Sequence, residues 1–201
     1  MTIVDDRPDA GYAAARKAMI DSQLRTSGVN APFVLRRMGE VPRERFVPEA
    51  LRSVAYTDRA VALDGGRWLP APEVQGLMLQ EALPKESDRA LLVDSGSGYM
   101  AEVLRPLVAS LEVIDPVAAA SGKAEGSDFT LLMIDGAVEQ LPQALVAKLA
   151  PDGRIVTGAL SDGVTRVAVG RVAAGAAALL PVAEVGIPVL PEFAAPKKWT
   201  F

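Results

Sequence analysis

An apolar strand, a glycine-containing turn and a helix follow one another near the middle of the chain, and this succession restricts the fold more than any other feature. Residues 90–93 read ALLV, residues 94–99 read DSGSGY, and a helical pattern then runs to about residue 108. Later segments repeat the alternation, with strands predicted at 111–114, 129–134 and 154–157 and a helix at 138–149. Apolar strands that alternate with helices are typical of a parallel sheet buried on both faces. The sequence therefore predicts an α/β fold.

The first 85 residues lack this alternation and predict helices instead. In the first of them, apolar residues recur at three- and four-residue intervals, which is the spacing of one helix face. The expected helices cover 9–27, 30–38, 49–54 and 73–83, with an irregular stretch at 57–72. We expect a helical cap over 1–85 and a sheet over 86–201, packed together as one compact domain. Strand-like segments at 164–172 and 177–189 predict antiparallel strands at the end of the sheet.

Composition excludes several kinds of chemistry. The 201 residues include neither cysteine nor histidine, which excludes disulfides, thiolate and imidazole metal sites, cysteine nucleophiles and histidine-dependent triads. The net charge of -4 argues against a protein that coats nucleic acid, because such proteins need a basic surface. The start of the chain shows no signal-peptide pattern, and no stretch reaches about 18 uninterrupted apolar residues. We therefore expect a cytoplasmic protein that binds neither membranes nor nucleic acid and holds no metal.

The glycine turn is a candidate cofactor site. Gly96 and Gly98 let the backbone approach a ligand, and the helix that follows presents free N–H groups. Asp115 lies 17 residues after Gly98, at the end of the second strand, where a carboxylate can accept hydrogen bonds from ribose hydroxyls. The pattern alone fits NAD(P) or a nucleoside such as S-adenosylmethionine, and it also fits a tight turn without a ligand. The candidate cofactor-binding residues are Asp94, Ser95, Gly96, Ser97, Gly98 and Asp115.

Longer motifs resemble a known family. They read VPRERFVP at 41–48 and AYTD at 55–58, with GSGY at 96–99 and LAPDGRIV at 149–156. Together these segments resemble the protein-L-isoaspartate O-methyltransferase family. The resemblance implies a Rossmann-like fold that uses S-adenosylmethionine to methylate the carboxylate of isoaspartyl residues in damaged proteins. It requires no metal, and it makes isoaspartyl-containing proteins or peptides the expected substrates.

The substrate-side loop departs from the pattern of that family. The family has a loop of the type GQTISxP, whose hydroxyl residue contacts the reacting carboxylate. Here the loop reads GRWLPAP at 66–72, so that Pro70 stands at the hydroxyl position. Proline offers neither a side-chain donor nor an N–H. We therefore assign no catalytic residue and expect Gly66, Trp68, Leu69 and Pro70 to form a substrate loop.

The cofactor-binding half departs as well. In the turn, Leu92 replaces an acidic residue and Asp94 replaces the first glycine. The segment 116–128 has 13 residues, where the family has a helix, another strand and a loop that wrap the adenine. We therefore expect one edge strand to be missing. The strand exposed by that loss has to be covered or paired, and a homodimer would do this.

Two other functions stay open at this point. A catalytically inactive homologue could have kept the fold as a binding or assembly module, because the cofactor and substrate motifs are both altered. The relaxed glycine pattern, completed by Ala101, would also suit a dinucleotide-dependent oxidoreductase, although no proton-relay residue is evident.

Several charged and aromatic residues carry simpler expectations. Arg43, Glu44 and Arg45 fit a substrate clamp, but the simpler expectation places them on the surface of a linker, where they form ion pairs at helix ends. Trp199 and Phe201 are expected to dock against the chain's own domain.

Overall fold

The structure is a computed structural model that describes the backbone of residues 7–195 and the side chains from residue 11 onward. Trp199 and Phe201 lie outside the described residues, so their docking stays a prediction. The first part of the described chain is helical, as the sequence predicts. Proline begins two of its helices, because the N–H of the first helical residue has no acceptor within the helix and its absence costs nothing. The elements are α1 Arg7–Met19 with a π-helical turn over Ile20–Leu24, α2 Pro32–Glu40, 3-10 turns over Arg43–Phe46 and Glu49–Val54, the short strands β1 Val61–Ala62 and β2 Trp68–Leu69, and α3 Pro72–Ala82.

The second part alternates strands and helices around one sheet. Its elements are β3 Arg89–Val93, α4 Tyr99–Leu104, β4 Ser110–Ile114, α5 Pro116–Ala120, β5 Phe129–Val138, α6 Gln143–Val146, β6 Leu149–Ser161, β7 Val164–Ala173 and β8 Ala176–Glu184. Within the described residues the sheet has six strands in the order β4-β3-β5-β6-β7-β8. The strands β4, β3, β5 and β6 are parallel to one another, and β7 is antiparallel to both of its neighbours, β6 and β8. The predicted α/β class and the antiparallel end of the sheet are both confirmed.

Two local predictions differ from the structure. The stretch expected to be irregular contains the antiparallel pair β1–β2, and the helix expected over 138–149 is reduced to α6. The far end of β5 stays extended because Ala137 and Val138 pair with β6, and every residue from 131 to 138 is buried. Within the predicted range only Val138 and Leu149 belong to strands, and α6 begins after Pro142, which has no N–H for an earlier helical turn.

The sheet ends at β4, as the short segment before β5 predicts. In the described chain, 115–128 holds the short helix α5 and no strand, and β4 pairs with β3 alone. Val113 on this outer strand is 38% exposed. The edge is therefore open to solvent in the single chain.

The core lies on both faces of the sheet. Ala90 and Leu92 of β3 belong to a large cluster that includes the N-terminal helices, whereas Leu91 and Val93 point into a second cluster on the opposite face. This alternation explains why β3 is apolar throughout, since both of its faces are buried. Among the described residues, no helix has the length and hydropathy needed to cross a bilayer.

Candidate active site at the carboxyl ends of the strands

The glycine turn leaves the carboxyl end of β3 beside the end of β4. Asp94 follows β3 directly, and its N–H donates to the carbonyl of Ile114 (3.0 Å). The Asp94 carboxylate accepts hydrogen bonds from the N–H groups of Gly96 (2.8 Å) and Gly98 (3.0 Å). Both glycines have positive φ, 104° and 73°, a conformation that strains residues with a Cβ. The turn is therefore stabilised by its own aspartate, which occupies two of its N–H groups.

Only the middle of the turn is accessible to a ligand. The side chain of Ser95 is buried, and its hydroxyl donates to Asp135 (3.0 Å). Burial raises the pKa of Asp94, and the N–H groups of Gly98 and Gly96 oppose this effect. Gly96, Ser97 and Gly98 reach the surface at least in part.

Asp115 lies at the neighbouring strand end and is exposed. It caps α5, because its Oδ1 accepts from the N–H groups of Val117 (2.9 Å) and Ala118 (3.0 Å). The hydrogen bond from Ala118 is the largest cause of a lowered pKa of Asp115, and the charge of Arg67 acts in the same direction. The carboxylate is thus ionised at neutral pH, and both capping bonds use one of its two oxygens.

A third aspartate, Asp135 in β5, is fully buried and contacts the turn through Ser95. Its two oxygens also accept from Nε2 of Gln75, at 2.8 and 3.1 Å. Burial raises the pKa of Asp135 to about 7, the charge of Asp94 adds to the rise, and the hydrogen bonds from Ser95 and Gln75 oppose it. Asp135 therefore changes its charge near neutral pH.

Arg43 extends this network into the helical cap. Its side chain is fully buried and donates to the carbonyl of Ala55 (2.8 Å), to Oε1 of Gln75 and to the carbonyl of Pro70. Its guanidinium also lies 4.9 Å from the centre of the Tyr99 ring. The expectation that Arg43 lies on a linker surface is therefore wrong. Three acceptors and an aromatic face satisfy the cation inside the protein.

Glu44 is buried as well, whereas Arg45 is exposed as expected. The Glu44 carboxylate lies 3.2 Å from the guanidinium of Arg16 and accepts a hydrogen bond from the hydroxyl of Tyr56. Nε of Arg16 donates to the Tyr56 hydroxyl in turn (2.8 Å). Burial, together with the bond to Glu44, raises the pKa of Tyr56 to about 12. Two of the three charged residues of this motif thus connect elements of the cap rather than coat its surface.

The predicted substrate loop is divided between the surface and the core. Gly66 and Trp68 line a crevice beside the glycine turn, and Trp68 is 43% exposed. Leu69 and Pro70 are buried, so their side chains do not face this crevice. Pro70 contributes to the network through its carbonyl instead.

The segment 185–195 forms the opposite wall of the crevice by crossing the end of β5. The N–H of Ala137 donates to the carbonyl of Pro188 (2.8 Å), and the N–H of Leu190 donates to the carbonyl of Ala137 (2.9 Å). The close approach requires glycine at position 136, because a Cβ on Gly136 would lie 2.6 Å from Cγ of Leu190. The crevice left between these walls has a volume of about 10 Å³, on the order of one water molecule.

An ion pair joins the two walls. The guanidinium of Arg67 lies 2.7 Å from Oε1 of Glu192, and the two side chains are 24% and 16% exposed. The Arg67 side chain also covers the glycine turn, since a Cβ on Gly96 would lie 3.0 Å from its Cγ. Oε2 of Glu192 is buried and has no hydrogen-bond partner among the described residues.

The structure brings the predicted turn and Asp115 together at adjacent strand ends, and it adds residues that sequence reasoning missed. Asp135 directly follows the predicted strand 129–134, at the same edge of the sheet as Asp94 and Asp115, but nothing in the local sequence indicates its buried partner Gln75. The contact between Arg67 and Glu192 left no signal, because 125 residues separate them. Among the described residues, no three acidic side chains are grouped as ligands for a metal ion.

Comparison with known proteins gives one consistent family. Residues 14–118 match the model of the family described as protein-L-isoaspartate(D-aspartate) O-methyltransferase. A protein-L-isoaspartate O-methyltransferase of Pelotomaculum thermopropionicum is 31% identical over 75% of this chain and 76% of its own length. Protein-L-isoaspartate O-methyltransferase 2 of an Anaeromyxobacter species is 34% identical over 70% of this chain and 68% of its own length.

A solved structure has the same fold. A protein of Plasmodium falciparum, described as a protein-L-isoaspartate O-methyltransferase and crystallised with S-adenosyl-L-homocysteine, superposes with a TM-score of 0.70. The match covers 90% of this chain and 98% of that chain, at 18% sequence identity. The Rossmann-like architecture expected from the motifs is therefore confirmed.

Proposed function

The chain belongs to the protein-L-isoaspartate O-methyltransferase family, and we propose that it transfers a methyl group from S-adenosylmethionine to the carboxylate of isoaspartyl residues in proteins or peptides. The observation that supports this most is the family match over 14–118, which includes the glycine turn and Asp115. Asp115 alone would also suit a dinucleotide-dependent enzyme, but the match is to a methyltransferase family. The relatives at 31% and 34% identity do not favour the inactive homologue.

The exposed residues at the strand ends fit a nucleoside-bearing cofactor. Gly96 and Gly98 carry no Cβ and reach the surface, so a ligand can approach their backbone. Asp115 is ionised and exposed and has an oxygen outside the capping bonds, which suits a pair of ribose hydroxyls. The present volume of the crevice, about 10 Å³, is too small for a methionine chain. The cofactor therefore requires that the Arg67 side chain leave Gly96, a movement that a flexible arginine allows.

The reaction places few demands on the side chains. Bound S-adenosylmethionine supplies an activated methyl group, so that one O–C bond forms, one S–C bond breaks and no proton is transferred. A carboxylate with a pKa near 4 is already ionised at neutral pH and needs no general base. The chain has to hold the carboxylate in line and exclude water.

Two variants of Asp115 test the proposal. D115A removes both the cap and the carboxylate, whereas D115N keeps a good capping residue and removes only the charge. We expect both to weaken binding of S-adenosylhomocysteine, measured by calorimetry, by roughly tenfold or more, with D115N unfolding at nearly the temperature of the wild type. Methylation is measured with an isoaspartyl peptide, and the matching aspartyl peptide serves as the control. A wild-type protein that neither binds the cofactor product nor methylates the isoaspartyl peptide would rule out this function.

A further inference from the structure

In the family that the chain belongs to, a hydroxyl residue of the loop at 66–72 contacts the reacting carboxylate, and here Pro70 stands at that position. Pro70 has no side-chain donor, and its side chain is buried away from the crevice. A carboxylate that enters beside the glycine turn therefore needs another donor. Among the described residues that line this crevice, Arg67 is the only cationic one.

Arg67 is suited to this task by its position and chemistry. It belongs to the loop between β1 and β2, whose backbone is held by a hydrogen bond from the N–H of Leu63 to the carbonyl of Arg67 (2.8 Å). Its side chain lies against Gly96, the part of the turn that a ligand can reach. A guanidinium binds a carboxylate through two parallel hydrogen bonds, which fixes the orientation of the bound group.

Arg67 already holds a carboxylate, that of Glu192. This carboxylate is bound through one oxygen, Oε1, while Oε2 is buried without a partner among the described residues. A buried acceptor without a donor costs free energy, so the pair is not optimised for stability. The backbone around Glu192 is tied to β5 through Leu190 and Ala137. A movement of the Glu192 side chain therefore releases the Arg67 guanidinium, and the Arg67 side chain then leaves Gly96 when the cofactor binds.

We propose that Arg67 binds the carboxylate of the substrate and that Glu192 occupies this position until the substrate displaces it. The proposal rests on the proposed methyl transfer to a carboxylate. Glu192 acts as an internal competitor, because the substrate offers the same group to the same guanidinium. The two residues therefore have opposite effects on substrate affinity, whereas a purely structural ion pair gives the same effect when either partner is changed.

The test compares R67Q, R67K and E192Q with the wild type. Affinity is measured by the fluorescence anisotropy of a labelled isoaspartyl peptide in the presence of S-adenosylhomocysteine, and KM and kcat are measured by methylation of the same peptide. We expect R67Q to weaken peptide binding and raise KM by roughly tenfold or more, and to lower kcat as well, because the guanidinium also orients the carboxylate. R67K keeps the positive charge but loses the planar guanidinium that forms two parallel hydrogen bonds, so its peptide affinity is expected to lie between those of R67Q and the wild type. E192Q is expected to tighten binding and lower KM by roughly threefold or more.

A matched pair away from the site provides the control. Arg166 and Glu184 form an ion pair at 2.9 Å between β7 and β8, and R166Q and E184Q should change neither KM nor peptide affinity. Unchanged peptide affinity in R67Q and R67K would overturn the proposal. Weaker or unchanged binding in E192Q would overturn the role of Glu192 and leave a structural ion pair. A wild-type protein that binds the peptide but does not methylate it would count against the proposed function, and the anisotropy measurement would still decide the role of Arg67.

Discussion

Asp135 lowers the stability of the protein as the pH rises, whereas a salt-bridged carboxylate raises it. Its pKa is raised from 3.8 to about 7, first by burial and then by the charge of Asp94. The folded state therefore favours the protonated acid, while the unfolded chain ionises near pH 4. The stability that this group contributes is complete below about pH 4 and is lost as the pH rises through about 7.

The variant D135N isolates this effect. Asparagine has the same size and no charge, its oxygen can accept from Gln75, and its amide can donate to Ser95. The rise of the pKa from 3.8 to about 7 corresponds to about 4 kcal/mol, because each pH unit between the two values contributes about 1.4 kcal/mol. We expect the free energy of unfolding of D135N, relative to the wild type, to rise by about 4 kcal/mol between about pH 4 and about pH 8.

Urea unfolding followed by far-UV circular dichroism at several pH values measures this difference. D58N is the matched control, because Asp58 is exposed and its loss should give a difference that stays within about 0.5 kcal/mol at every pH. D94N provides a second check, since removing the neighbouring charge should lower the pKa of Asp135 and flatten the pH dependence. A difference between D135N and the wild type that does not change with pH would refute the reasoning.

Three further predictions concern the helical cap, the segment 185–195 and the open sheet edge at β4. R43M leaves three buried acceptors without their donor and should lower the free energy of unfolding by roughly 3–5 kcal/mol. Arg45 is the exposed neighbour, so R45M should change the free energy of unfolding by less than about 0.5 kcal/mol in the same urea experiment. G136A places a Cβ 2.6 Å from Leu190 Cγ, so we expect the free energy of unfolding to fall by roughly 1–3 kcal/mol. Proteolysis of the segment 185–195 should become faster, and an unchanged cleavage rate would contradict this packing. If the open edge at β4 pairs in a homodimer, light scattering should give a dimer for the wild type and a monomer for V113K, and a monomeric wild type would exclude this pairing.

Much of the fold could be predicted because its signals are local. The apolar segment at 90–93, the turn at 94–98 and the helix after it appear in the structure within a few residues of their expected bounds. The short segment 116–128 correctly predicted that the sheet would end at β4, since chain length limits what a connection can contain. The helix predicted over 138–149 is reduced to α6, because Val138 pairs within β5 and Pro142 precedes the first helical turn.

The candidate site followed from the sequence only in part. The placement of the turn and of Asp115 at adjacent strand ends follows from parallel topology, which the sequence by itself determined. Whether a charged residue is buried was decided by tertiary structure, because burial depends on partners that are distant in the chain. Arg43 is buried because the carbonyls of Ala55 and Pro70 come together around it. The ion pair between Arg67 and Glu192 likewise exists only because the fold brings the segment 185–195 across the end of β5. No local pattern of residues encodes that crossing.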